Sequence, residues 1–335
     1  MCIGIWTLRH PDYALILCTN RDEFLDRPTV TAHFHSFGKE DTAGAADVDN
    51  PGRILSGRDV QAGGSWFGIN RSGRVALLTN ITEPVRKWNT SRGYLVSSFL
   101  ESDSLHPLED EIGKIVPEDA KFAGFNLLLL APKLDADVDG DDVAPGGGGG
   151  GNTIQYDSLF VTNHGGGGTL TSRPLSSDEA SCGAISNGID GAGAECWPKV
   201  QHAIKDFDAT ILHAQTPEGA IASESELIEH LFKVLAWQSP ESIAERADLR
   251  KTVQVLPIPI VLGGPASSPT PAYYGTRTST VLLVKRTGEV TFIERDIWVL
   301  VNGVPVKASD PATSERVFRF KVDVKSGGST ATTTT

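Results

Sequence analysis

Short apolar, β-branched runs, each cut off by glycine, asparagine or proline, fill both ends of this chain, and helix-periodic runs lie between them. Residues 3–8, 13–19, 64–69, 74–80 and 124–130 are of this kind, each long enough for one strand and too short for most helices. Asn70-Arg71-Ser72-Gly73 joins two of them as a tight hairpin. Near the other end, residues 279–285 and 290–295 flank Arg286-Thr287-Gly288-Glu289, a second hairpin, and residues 317–324 add an edge strand. In the middle, residues 197–214 place Pro198 in a first helical turn and Val200, Ile204, Phe207 and Ile211 on one face. Ser223 and Glu226 form a capping-box pattern ahead of Leu227, Leu231 and Leu235. Residues 92–100 and 108–116 predict two shorter helices. Antiparallel hairpins at both ends with helices between them imply an α+β fold of stacked layers.

Glycine marks the interruptions. Residues 134–152 are Asp-rich and then carry six consecutive glycines, Gly146 to Gly151, a composition that cannot bury enough apolar surface to order itself. We read it as a disordered insertion in a single domain spanning residues 1–325, and residues 326–335 as a disordered Ser/Thr-rich tail. Gly165–Gly168 reads as an expanded hairpin turn. The net charge of −12, with no Lys/Arg cluster to offset it, argues against a nucleic-acid partner. No apolar stretch is long enough to be a transmembrane segment. Four cysteines without CxxC spacing suggest neither zinc nor a redox motif, and a reducing, cytoplasmic setting is the simpler expectation.

Cys2 is the candidate nucleophile. It follows the only methionine, Met1, and removal of that residue would leave a thiol beside a free α-amine. With a pKa of about 8, such an amine can serve as general base for its own side chain. The alternative reading of Cys2 is a small buried hydrophobe. Asn20-Arg21-Asp22-Glu23 follows the second strand, where Arg21 would favour the thiolate and Asp22 would accept from the ammonium. Adjacent residues of a strand face opposite sides, so at most one of that pair is expected to point into the site. Asn80 and Asn187, each at a strand end, are candidate oxyanion donors. Arg277 in the late strand is a candidate partner for a carboxylate, thioester or phosphate. His33 and His35 share a strand face, but the sequence places no third metal ligand.

Met1-Cys2, Asn20-Arg21-Asp22-Glu23, Gly64-Ser65-Trp66-Phe67-Gly68, Leu78-Thr79-Asn80, Ser186-Asn187, Trp197-Pro198-Lys199 and Tyr274-Gly275-Thr276-Arg277-Thr278 together resemble the NRDE family, that of transport and Golgi organisation protein 2. The resemblance runs in family order over nearly the whole chain. It implies an αββα four-layer sandwich similar to that of N-terminal nucleophile hydrolases of the bile-salt and penicillin V acylase type. In that comparison Cys2 matches the nucleophile, Arg21 and Asp22 the polar pair, Asn80 and Asn187 the oxyanion donors, and Arg277 the late-strand arginine. The acylases space their Arg and Asp a few residues apart; here the two are adjacent. The resemblance further implies a role in Golgi organisation and protein secretion, and in handling lipid, acyl-CoA or haem. It points to a cytoplasmic protein associated with the Golgi or mitochondria. No cofactor is required on this reading; haem enters as cargo, and the other partner is a small acyl or lipid molecule. Two functions stand side by side: a carrier with a hydrolase-like pocket, and an N-terminal-cysteine amidohydrolase or acyltransferase cleaving an amide or thioester through a Cys2 acyl-enzyme.

Overall fold

The computed structural model describes residues 1–38, 52–84, 86–104, 106–116, 120–135, 153–215, 223–243, 245–260 and 272–323. The chain begins with β1 (Ile3–Thr7) and β2 (Tyr13–Phe24), which pair as an antiparallel hairpin. It then crosses to a second sheet: β3 (Thr29–His35), β4 (Ile54–Asp59), β5 (Phe67–Asn70), β6 (Val75–Asn80), β7 (Phe125–Asp135), β8 (Thr153–Thr162) and β9 (Thr171–Arg173). These seven strands pair in sequence order, a plain meander. Helices α1 (Gly93–Glu101) and α2 (Leu108–Ile115) are inserted between β6 and β7.

From β9 the chain returns to the first sheet through the short helix α3 (Ser177–Ser181) and β10 (Gly183–Ser186), which pairs with β1. Helices α4 (Pro198–Gln215) and α5 (Glu224–Leu235) follow, then β11 (Ile258–Ile260), β12 (Ala272–Lys285) and β13 (Glu289–Asp296). A hairpin of β14 (Trp298–Val301) and β15 (Val304–Lys307), the one-turn α6 (Pro311–Ser314) and β16 (Glu315–Lys321) complete the described chain. The first sheet runs β10-β1-β2-β12-β13-β16, with β11 added alongside β12.

The period-two alternation of the strands sorts their side chains into three apolar layers. Leu15 and Leu17 of β2, Leu77 of β6 and Leu128 and Leu130 of β7 meet between the sheets, where Phe67 stacks on Phe292 at 5.8 Å. Their alternates point outward. Ile16 and Cys18 pack under α4 and α5, and Ala76, Leu78, Leu127 and Leu129 pack under α1 and α2. The order helix, sheet, sheet, helix is the four-layer sandwich expected. At about 1.5–3 kcal/mol for each large apolar side chain fully buried, three such layers far outweigh any single polar contact in holding the sheets face to face.

Several boundaries differ from the sequence reading, β12 among them, which starts at Ala272 rather than at 279, and three have a clear local reason. β2 does not stop at Thr19 but runs on through the polar tetrapeptide to Phe24, because β12 continues to pair with it: Thr276 lies opposite Asp22 and Gly275 opposite Glu23. β5 begins at Phe67 rather than Gly64, since Gly63 and Gly64 hold positive φ angles of 69° and 77°, incompatible with a strand. β7 extends to Asp135, its partner β8 supplying the ladder, so the segment read as an insertion starts with two strand residues. The remainder of that segment, residues 136–152, and the tail at 326–335 lie outside the described residues.

Candidate active site

Residues 1 and 2 extend β1 toward the edge of the two stacked sheets. Gly4 brings β1 close to the facing sheet: a Cβ there would lie 2.3 Å from Leu77 Cδ2, so any larger residue would make Leu77 shift. Ser186 Oγ of β10 donates to the carbonyl of Cys2 at 2.8 Å. Lys199, wholly buried in the first turn of α4, donates through Nζ to the carbonyls of both Met1 and Cys2, the latter at 3.0 Å. The start of the chain is thus clamped from two sides.

The α-amine belongs to Met1 and is buried. It lies 3.0 Å from Asp22 Oδ2 and donates to Tyr274 Oη, also at 3.0 Å. Tyr274 in turn donates to the Asp22 carbonyl at 2.9 Å, and Thr276 Oγ1 donates to Asp22 Oδ1 at 2.6 Å. Burial lowers the pKa of the amine, an effect opposed by the charge of Asp22. A neutral amine, the form that can take a proton, is therefore easier to reach than on an exposed terminus.

Cys2 Sγ accepts from the Asp22 N–H at 3.4 Å and lies 3.6 Å from the Asp22 carbonyl oxygen. Burial, followed by the charge of Asp22, pushes the thiol pKa up. The thiol consequently stays protonated at neutral pH and needs a base. Burial likewise lowers Lys199 to about 8, against the charges of Asp22 and Cys2.

Cys2 opens onto a cleft of about 130 Å³ between the sheets, lined also by Arg21, Asp22, Glu23, Trp66 and Arg92. Arg21 and Asp22 both reach it. The Arg21 guanidinium stacks on Trp66, just ahead of β5, 3.9 Å from the ring centre, while the Asp22 carboxylate turns to the amine and Thr276. Arg27 closes one side through Asp59 at 2.7 Å. Arg92 donates to the Gly124 carbonyl at 2.9 Å.

Cys2, Arg21, Asp22 and Asn80 all line this cleft, Asn80 half-buried at the end of β6. Asn187 does not line it. It lies one residue beyond β10, its carbonyl accepts from the Thr82 N–H at 2.8 Å, and its Oδ1 is buried without a hydrogen-bond partner among the described residues. Arg277 is also outside the cleft. A bulge pairs Thr276 with Asp22 but Thr278 with Arg21, leaving Arg277 as the extra residue. Its Nη1 donates to the carbonyls of Phe24 and Arg27 and to Thr29 Oγ1. His33 and His35 lie with ring centres 4.8 Å apart, and no group of three or more metal-ligating side chains occurs among the described residues.

Lys199 and Tyr274 were not singled out as functional from sequence. Lys199 had a readable signal: it sits four residues before Ala203 and eight before Phe207, both fully buried, which puts a charged residue on the apolar stripe of α4. Tyr274 had none, because its role depends on β12 continuing past Thr276 to pair with Phe24.

The chain matches the family described as Transport and Golgi organisation 2 over residues 1–298. It is 31% identical to a Transport and Golgi organization protein 2 homolog of Bos taurus, across 85% of this chain and 87% of that protein. It is 28% identical to an uncharacterised protein of Saccharomyces cerevisiae, across 96% of this chain and the whole of the relative. Among solved structures, it matches the Caenorhabditis elegans ortholog of an N-acylethanolamine-hydrolyzing acid amidase with a TM-score of 0.41 and 10% identity, over 84% of this chain and 92% of that one. A mutant conjugated bile acid hydrolase from Clostridium perfringens matches with a TM-score of 0.42 and 8% identity, over 97% and 98%.

Proposed function

Since the chain belongs to the transport and Golgi organisation 2 family, we propose that removal of Met1 turns its buried terminus into an N-terminal-cysteine hydrolase or acyltransferase centre. The observation that supports this reading is the single hydrogen-bonded cluster in which amine, Asp22 and Cys2 thiol already meet at the wall of one cleft. With Met1 gone, the α-amine would be that of Cys2 and would take the thiol proton as Sγ attacks the carbonyl of an amide or thioester. Asn80 would donate to the oxyanion, and Arg21 would supply positive charge beside it. Collapse of the adduct breaks the C–N or C–S bond, the leaving group departs with the proton held by the α-amine, and a Cys2 thioester remains. Water then hydrolyses that thioester and regenerates the thiol. Asp22 and Tyr274 would hold the ammonium between these steps, and Lys199 would fix the strand that carries Cys2.

A second reading rests on Met1 itself. Its side chain is buried beside Leu249 and Val255, and its amine is satisfied by Asp22 and Tyr274. A chain that keeps Met1 has no free amine on Cys2 and would act as a carrier, the cleft holding a small acyl, lipid or haem cargo. Either form would serve Golgi organisation and secretion from the cytoplasm, in contact with the Golgi or mitochondria.

The deciding experiment is intact mass spectrometry of the full chain after incubation with a panel of acyl thioesters. The expected result is loss of Met1 and an acyl adduct that disappears in Cys2→Ala. A protein that keeps Met1 and forms no adduct would overturn the enzymatic reading. Saturable binding of haemin or a fatty acyl thioester by that same protein would then support the carrier.

A further inference from the structure

Arg21 and Trp66 line a second cavity as well, smaller than the cleft at about 40 Å³. Its other charged or polar lining groups include Arg277, Thr278, Glu294, Asp296 and Trp298. Three atoms in this wall are buried without a hydrogen-bond partner among the described residues: Arg21 Nη1, Thr278 Oγ1 and Trp298 Nε1. Two of the three can only donate, and the hydroxyl can donate too. Buried polar groups rarely go unanswered, so three unpartnered donors on residues that line one cavity point to a ligand.

The charges indicate its sign. Both carboxylates in the wall are already engaged by Arg316: Asp296 accepts from both terminal nitrogens at 2.7 Å, and Glu294 Oε1 accepts from Nε at 3.1 Å and from the Ala32 N–H at 2.8 Å. Arg21 and Arg277 form no ion pair among the described residues, and Arg277 loses proton affinity to burial and then to the like charge of Arg21. Two guanidinium groups that repel each other, beside donors with nothing to bond, favour an anion over a cation in this cavity, with Glu23 the opposing charge that both arginines feel.

We propose that this cavity is a binding site for a small monovalent anion of halide size, held by Arg21 Nη1, Thr278 Oγ1 and Trp298 Nε1 between the Arg21 and Arg277 guanidiniums. The volume admits one such ion or one to two waters. The inference does not depend on catalysis by Cys2. Its consequence for the cleft is positional: the anion fixes Arg21 over Trp66 from behind and mutes the charge it shows to Cys2.

The test compares melting of the full chain in sodium chloride, sodium bromide and sodium gluconate at one ionic strength, together with crystals soaked in bromide. Ligand binding to the folded state alone raises the melting temperature. Saturable stabilisation by chloride and bromide is expected, with affinity about tenfold weaker in Thr278→Val or Trp298→Phe, and retained in Thr278→Ser. Crystals should show an anomalous bromide peak within bonding reach of Arg21, Thr278 and Trp298. Equal melting in all three salts with no bromide peak would mean water fills the cavity, overturning the proposal. So would a halide effect of equal size in Thr278→Val and Trp298→Phe, which would place the ion elsewhere. The bromide peak is read on the unaltered chain and does not depend on a variant folding.

Discussion

Two buried arginines, one in each half of the sandwich, look alike at first. Arg74, just ahead of β6 of the second sheet, is 4% exposed and stacks on Phe99 at 4.0 Å; Arg21 in β2 of the first is 6% exposed and stacks on Trp66 at 3.9 Å. Their hydrogen bonds differ completely. Arg74 uses Nε on the Phe99 carbonyl, Nη1 on the Ser104 carbonyl and Nη2 on Glu111 at 2.6 Å, tying β6 to both outer helices. Arg21 Nη1 has no partner among the described residues. Equal burial with unequal satisfaction separates a structural charge from one kept for a ligand.

Substitution should split the pair by sign. Arg74→Met strands the buried Glu111 carboxylate, and a loss of about 3–5 kcal/mol in chemical denaturation is expected, with Cys2 chemistry unchanged in whatever fraction folds. Lys199 offers a second contrast. Burial puts its folded pKa near 8, below the usual 10.5, so between those values the unfolded chain holds a proton that the folded chain has released. Stability of the natural chain relative to Lys199→Met should therefore rise from about pH 8 to pH 10.5, by up to about 3 kcal/mol. A flat difference across that window would show that Lys199 titrates normally. Arg21→Met should change stability least, neutral or stabilising by about 1–2 kcal/mol in halide-free buffer, because it strands no described carboxylate. It should nevertheless abolish acyl-adduct formation at Cys2. A stability loss as large as that of Arg74→Met would erase the distinction between the two arginines.

The sequence made the fold legible wherever an apolar run or a helical stripe was cut off by clear turn or cap residues. β6 and β7 are visible as short apolar runs bounded by turn residues, β13 as a strand of a hairpin, and the helices α4 and α5 by their 3.6 period. β3 and β4 were harder: β3 carries a register shift between Val30 and His33, and β4 ends in the polar pair Arg58-Asp59. Of the site, Cys2 could be read from its place after Met1, and Arg21, Asp22 and Asn80 because each follows or ends a recognisable strand. The bulge that moves Arg277 out of the cleft has no local signature, since it depends on how β12 meets β2. The two-sided use of adjacent Arg21 and Asp22 was also hidden: alternation does put them on opposite faces, but the buried amine brings the second face into the site.

The buried ammonium also has a practical side. A peptide tag or fluorescent protein joined ahead of Met1 would replace that ammonium with an amide, deprive Asp22 of one of its two positive neighbours, and force the added chain out past Tyr274. Fusions at the amino end would report on a perturbed molecule.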